Sequence, residues 1–415
     1  MRGFASDPGS LTEKHNMDVP EYPLGSIYDF EDMEAIAVAL QGKGGLQDKF
    51  ETEFAEYCGA SYAMATVSGT MALHLATAVL RLGPQDEVIC TPQTFLATLL
   101  PLIERRVRVV FADIEPETLC IDPNTIEDRI TDRTRAIYVM HYGGLPCDMD
   151  PIMEMAERHG LYVVEDAAHA PGAEYKGRRI GSIAHLTCFS FGSLKNMTTL
   201  GQGGMITTHC EELDSGLRAM RGRELWGDRI EKQEARIGPY PQPGLANNDN
   251  SGDAYTHDWI EVWGVGHNIP MTDVQASVGS VQLRKLDRMN GIRRELAERY
   301  TRGLTQVDGI SVQPHLEGRE SVYHLYPFFI DQERTGIRHD DLIRALEANN
   351  IRIKNRFFPC HLGPAMRMMG HEPGEAPVCE RVWFEQQINL PISPLHTPQQ
   401  IDYVVEMAHS LIKSR

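Results

Sequence analysis

The stretch "LYVVEDAAHAPG" ends an apolar run in two acids, Glu165 and Asp166, and follows them with His169. A second apolar run, "LTCFSF", leads into "GSLKNMTTLGQGG", which carries Lys195 among small residues and glycines. A carboxylate at the end of one buried strand and an amine beyond the end of another make a complementary pair. The amine can condense with a carbonyl as a Schiff base, and the carboxylate can keep a proton on a heterocyclic nitrogen. Asp166 and Lys195 so placed suit pyridoxal phosphate, whose ring draws electrons while its nitrogen stays protonated. A phosphate also needs donors. In "VSGTMAL", Gly69 and Thr70 follow Ser68 at a helix start, where free N–H groups and the positive end of the dipole favour an anion. The Ser190 hydroxyl in "FSF" adds a donor, and Phe95 in "TPQTFLAT" follows a strand and can lie flat on a ring. Glu165, next to Asp166, points to the opposite face by strand alternation.

These residues require strand ends and one helix start. "LQDKFETEFAEYCG" has helical spacing, with Phe50, Phe54 and Tyr57 on one face and Gly59 as a stop. "SGTMALHLATAVLRLG" is a second helix, closed by Gly83. Strands and helices then alternate: "DEVIC" strand, "FLATLLPLIER" helix, "VRVVFADI" and "TRAIYVMHY" strands, "DPIMEMAERHG" helix, then "LYVVED", "LTCFSF" and "GGMITT" strands. Short apolar strands between helices predict an α/β fold with a mostly parallel sheet covered on both sides. Residues 225–262, rich in Pro, Gly, Asn and Asp, read as a long loop. A long helix from Met271, with Asn290-Gly291 as the place for a bend, leads to a second unit holding "YPFFID", "HDDLIRALEANN" and "PQQIDYVVEMAHSLIKS". The expected division is an N-terminal arm at 1–25, a large domain at 26–285 and a smaller α+β domain at 286–415.

Bulk properties narrow the class. The chain has 415 residues and a net charge of −18, so neither nucleic acid nor an anionic membrane is an expected partner. An anionic substrate would need a local basic pocket, for which Arg178, Arg179, Arg221, Arg223, Arg352, Lys354 and Arg356 are available. The eight cysteines form no CxxC pair and several sit in apolar runs, which predicts buried free thiols. The first residues lack the apolar core of a signal peptide, and no run of 18 apolar residues occurs. A cytoplasmic enzyme with no metal is the expectation.

Taken together, these segments resemble the DegT/StrS family of pyridoxal-phosphate sugar aminotransferases, on the fold type I scaffold. The resemblance covers about residues 40–225 and 262–410. It rests on "VSGTMALHLA", "DEVICTPQTFLAT", "YGGLPCDMDPI", "EDAAHAPGAEYKGRRIGSIAHLTCFSFGSLKNMTTLGQGGMITT" and "GHNIPMTDVQASVGSVQLRKLD". It implies that Lys195 is the Schiff-base lysine and Asp166 the partner of the pyridine nitrogen. His169 then lies near the cofactor's phenolic oxygen, and Phe95 stacks on the ring. Gly69, Thr70 and Ser190 cradle the phosphate. Asn268 reaches that phosphate from a neighbouring subunit, which implies a homodimer with sites at the interface. The implied reaction moves an amino group from glutamate or glutamine to a keto-sugar, expected to be nucleotide-linked, by ping-pong steps. In them the freed, neutral Lys195 amine serves as base. Three departures fall on substrate pocket and subunit contact: Asn268-Ile269-Pro270-Met271 where the family has Asn-Tyr-Arg-Met, Gly201-Gln202-Gly203-Gly204 where it has Gly-Glu-Gly-Gly, and the length of 225–262. The competing expectations are a dehydratase or lyase on the same fold and a cofactor-binding regulator without turnover.

Overall fold

In the computed structural model, residues 17–42, 44–222 and 266–413 are described. The long loop expected at 225–262 and the first part of the arm lie outside them. Asp29 opens helix α1 (Phe30–Ala39) through a capping box with Asp32. Helix α2 (Leu46–Cys58) buries Phe50 and Phe54 completely and stops at Gly59, whose backbone is left-handed. Strand β1 (Tyr62–Thr66), which the sequence reading passed over, feeds helix α3 (Gly69–Val79). That helix ends before the expected Gly83. Arg81 already has a positive φ of 54° and turns the chain toward strand β2 (Glu87–Cys90).

The helix expected over "FLATLLPLIER" is two pieces: a 3-10 turn (Leu96–Thr98) and a short helix α4 (Leu100–Glu104). Pro101 explains the break. It has no N–H to continue a helix from behind but fits a first turn. Strands β3 (Arg108–Phe111) and β4 (Thr134–Met140) follow, then helix α5 (Met149–His159) with Gly160 as its left-handed stop. Next come β5 (Tyr162–Asp166), the short β6 (Glu174–Tyr175) and β7 (Arg178–Arg179), β8 (Leu186–Ser190), β9 (Gly204–Thr208) and helix α6 (Glu211–Arg221).

The central sheet has the order β1-β9-β8-β5-β4-β2-β3. The pairs from β8 to β3 are parallel, while β9 runs antiparallel to both β8 and β1. Two apolar cores flank the sheet. One packs α2, α5 and the start of helix α7 (Asp273–Leu304); the other packs α3 and α6. Helix α7 passes Asn290 and Gly291 as one element, and buried Asn290 instead donates to Pro171 O at 3.0 Å. The far half of α7 enters a third core, where Tyr300 and Leu304 meet the last part of the chain. That part holds strands β10 (Ile310–Val312), β11 (Arg319–Glu320) and β12 (Tyr326–Ile330), helices α8 (Gln332–Thr335), α9 (His339–Ala348), α10 (Pro364–Met368) and α11 (Pro377–Glu385), strand β13 (Gln387–Leu390) and helix α12 (Pro398–Lys413). Strands β10, β12 and β13 form an antiparallel sheet.

The described part of the arm crosses this third core. Val19 is fully buried and bridges Ile351, and Gly25 N donates to Ser193 O at 2.8 Å. All eight cysteines are free, and only Cys210 is exposed. Among the described residues, no helix is long and apolar enough to cross a membrane.

Candidate active site

The carboxyl ends of β5, β8 and β2 converge, and the site lies beyond them. Asp166 closes β5 and is 3% exposed. Its Oδ2 accepts from Thr98 Oγ1 at 2.6 Å, and its Oδ1 accepts from Ala168 N at 3.1 Å. No cation pairs with it among the described residues. Glu165 turns to the other face of the strand, where it accepts from Thr187 Oγ1 and lies 3.3 Å from His141 Nε2. Alternation along β5 therefore separates the two acids as expected.

The Ala168 N–H bond folds the chain back at the strand end, and His169 returns toward Asp166's side. His169 is 1% exposed, and its Nδ1 has no partner. Its ring stacks on Phe357 at 5.6 Å and lies 4.0 Å from the His324 ring. Burial pushes both imidazoles well below their ordinary pKa, and the positive charge of Lys195 and Arg356 pushes the same way, so both are neutral.

Lys195 follows β8 in a tight turn, with its N–H donating to Gly192 O at 2.9 Å. Burial pulls its ammonium down to about 8; Asp166 opposes this and Arg356 adds to it. The turn is backed by the arm. A Cβ on Gly25 would lie 2.2 Å from Leu194 O and 2.3 Å from Lys195 O, which only a glycine avoids. Gly25→Ala is therefore expected to lower the unfolding free energy by about 1–3 kcal/mol or more, measured by urea titration. A change below about 0.5 kcal/mol would show that the arm does not seat there.

The expected phosphate cradle is a second close approach. Ser68 caps α3 by accepting from Met71 N at 3.2 Å. A Cβ on Gly69 would lie 2.6 Å from Ser190 Cβ, and one on Gly204 2.5 Å from Ser68 C. The missing side chains let β8 and β9 press against the helix start, so the Ser190 hydroxyl stands beside the first N–H groups of α3. These donors have no intrahelical acceptor. Phe95, which could have been a core residue, is 54% exposed, with its ring 5.7 Å from Phe357.

These features fit pyridoxal phosphate on their own terms. A buried carboxylate has no ion-pair contact among the described residues, a buried imidazole nitrogen lacks a partner, an aromatic ring is uncovered and a helix start lies beside a hydroxyl. Asn268 stands apart. It is exposed, has a φ of 49°, and its N–H donates to Gly222 O at 2.6 Å. Among the described residues, no contact joins it to the rest of the site. Gln202 O accepts from Gln275 Nε2 at 3.1 Å, which ties that departure to the start of α7.

Sequence reasoning missed Thr98, His324, Phe357 and Gly25. It named Arg356 only among seven unranked cations. The signal for Arg356 was present in "RIKNRF", where Arg352, Lys354 and Arg356 recur at period two. Of the other cations, Arg179 pairs with Asp287 at 3.0 Å and stacks on Tyr57, and Arg221 pairs with Glu51. A roomier groove of about 550 Å³ lies by Leu161, Tyr162 and His185, at the amino ends of β5 and β8. That is the wrong edge of the sheet for this chemistry.

The lysine permits a direct test in cofactor-free protein. Its reaction with an amine-acylating reagent should rise with pH and reach half its plateau near 8, because only the neutral amine reacts. A midpoint near 10.5, the ordinary lysine value, would show that burial does not act on it.

The profile of the DegT/DnrJ/EryC1/StrS aminotransferase family matches residues 29–409. The chain is 36% identical to the spore coat polysaccharide biosynthesis protein SpsC of Bacillus subtilis over 411 residues, 97% of this chain and 99% of the relative. It is 35% identical to the dTDP-3-amino-3,4,6-trideoxy-α-D-glucose transaminase of Streptomyces venezuelae, over 86% of each. Among solved structures, S. venezuelae DesV in complex with a ketimine intermediate aligns with a TM-score of 0.76 at 33% identity, covering 91% of this chain and 94% of that one. The chain therefore belongs to the DegT/DnrJ/EryC1/StrS aminotransferase family and is a pyridoxal-phosphate-dependent aminotransferase.

Proposed function

We propose that the enzyme transfers an amino group from glutamate or glutamine to the ketone of a nucleotide-linked sugar. It would do so in the cytoplasm, as a homodimer with sites at the subunit interface. The observation that carries the reading is the pairing of Lys195 beyond the end of β8 with buried Asp166 at the end of the adjacent β5, near enough for their charges to interact. The name of the S. venezuelae relative, a dTDP-sugar transaminase, supports the nucleotide-linked acceptor.

Bound pyridoxal phosphate supplies an electron sink for negative charge at the donor's α-carbon. Lys195 Nζ would hold the cofactor and would carry the donor's α-proton. Its depressed pKa keeps a useful fraction neutral near physiological pH. Asp166 would hold the proton on the ring nitrogen, fixed for that task by Thr98 and Ala168. His169 would meet the phenolic oxygen, Phe95 the ring face, and Gly69, Thr70 and Ser190 the phosphate.

Incubation with glutamate alone should release about one equivalent of 2-oxoglutarate per site. A lyase or a non-turning regulator would release none. A panel of nucleotide-linked keto-sugars then identifies the acceptor. If only free sugars are aminated, the nucleotide-linked reading falls.

Asn268 is assigned to the partner's site. One amide hydrogen bond to a charged phosphate is worth about 1.5–3 kcal/mol, so Asn268→Ala should weaken cofactor retention about tenfold or more. Mixing Lys195→Ala with Asn268→Ala chains should restore activity, because one site of each mixed dimer then carries neither lesion. Mixed dimers seen by native mass with no activity recovered would place Asn268 in cis.

A further inference from the structure

One place outside the lysine–aspartate constellation concentrates charge. Ile351 pairs with Val19 and Ile353 is buried, so Arg352, Lys354 and Arg356 share the opposite side of their segment. All three line a cavity of about 50 Å³, floored by Arg293 and His324. Among the described residues, Glu21 of the arm is the only acid lining it. The Glu21 carboxylate lies 2.6 Å from Arg356 Nη2 and 3.9 Å from Lys354 Nζ. Arg293 is 1% exposed and spends its donors on carbonyls of Gly25, Tyr323 and Ile392. No carboxylate neutralises it among the described residues.

Four cationic side chains thus face one carboxylate in a chain whose net charge is −18. Such an excess repels itself until an anion enters. Its position is specific. Leu194, beside Lys195, forms one wall. Phe357, next to Arg356, packs on both His169 and Phe95. The guanidinium therefore sits on the segment that borders the reacting groups, and its charge is felt at Lys195 and His169.

We propose that Arg356, with Lys354 beside it, is the receptor for an oxyanion carried by the reacting small molecule, and that Glu21 fills this receptor until the ligand displaces it. A guanidinium fork fits a carboxylate or a phosphate oxygen pair equally well. The donor amino acid carries the first and a nucleotide-linked sugar the second. The identity of the ligand rests on the transamination proposed above; the existence of the receptor does not.

The test compares holoenzyme of wild type, Arg356→Gln and Glu21→Gln, with glutarate and inorganic pyrophosphate as calorimetric probes. Arg356→Gln should weaken one probe about tenfold or more, and Glu21→Gln should tighten the same probe severalfold by freeing the guanidinium. If the oxyanion is a carboxylate, glutarate and the KM for glutamate move; if a phosphate, pyrophosphate and the KM for the sugar nucleotide move. In either case the change in KM exceeds the change in kcat, because the contact is the same before and during reaction. A pair that only ties the arm down gives a different result, since either variant then shifts stability and affinity the same way. That outcome, or two probes blind to both variants, overturns the receptor. Probe binding that depends on Arg356 in a protein that does not transaminate leaves the receptor standing and removes the functional reading.

Discussion

Lys195→Ala should yield a folded protein whose turnover is lower by about 10⁴-fold or more, since the proposed function gives this one side chain the work of both covalent anchor and proton carrier. The fold should not suffer. In the cofactor-free protein the ammonium is disfavoured by burial, so its pKa falls to about 8 from an ordinary 10.5. The unfolded state then binds more protons between these values, and wild-type stability rises with pH across that window. At pH 7 both states are protonated and the whole burial penalty is present. Removing the amine removes the penalty, so the cofactor-free variant should melt at or above wild type at pH 7. After borohydride reduction, the pyridoxyl mass should appear on Lys195 in wild type and vanish in the variant. An adduct on another lysine, or a variant melting far below wild type, sinks the assignment.

Asp166→Asn should slow the half-reaction with glutamate by about 10²–10³-fold while some cofactor stays bound, as for loss of a preorganised charge aimed at the reacting ring. The substitution is tolerated structurally. Asp166 Oδ1 accepts from Ala168 N, and an amide oxygen can do the same. At Oδ2 the donor is Thr98 Oγ1, itself 2.6 Å from Thr94 Oγ1. The two hydroxyls can reverse, with Thr98 accepting from the new amide and donating to Thr94. What an amide cannot do is hold a proton on the ring nitrogen by charge. Single-turnover rates near wild type would remove Asp166 from that role.

Much of the candidate site was legible because its parts stand at ends of strongly patterned elements. Asp166 ends an apolar strand, Lys195 follows another, and Gly69 opens a helix; parallel pairing of β5 with β8 then brings the ends together. The break at Pro101 was also written in the chain, in a residue that cannot sit mid-helix, yet the apolar spacing around it obscured the boundary. Arg356, His324 and Gly25 were not legible in the same way. The period-two run at Arg352, Lys354 and Arg356 offered a faint local signal, and nothing local marks the other two. Arg356 owes its place to an extended segment, and Gly25 is needed only because two carbonyls lie where its Cβ would be. Such meetings arise from tertiary packing between distant segments, and one sequence holds no periodicity that reports them.

The arm has a consequence for the making of the protein. Val19 exchanges backbone hydrogen bonds with Asn350 and Arg352, Pro20 O meets His396 Nε2, and Asp18 O accepts from Gln400 Nε2. A ribosome releases the arm long before its seat. A nascent chain that already holds Asp166 and Lys195 still lacks the surface that presses Gly25 against the lysine turn. Residues 18–20 must therefore wait, unseated, until the chain has been made through Gln400, and a fully backed lysine turn comes only after that.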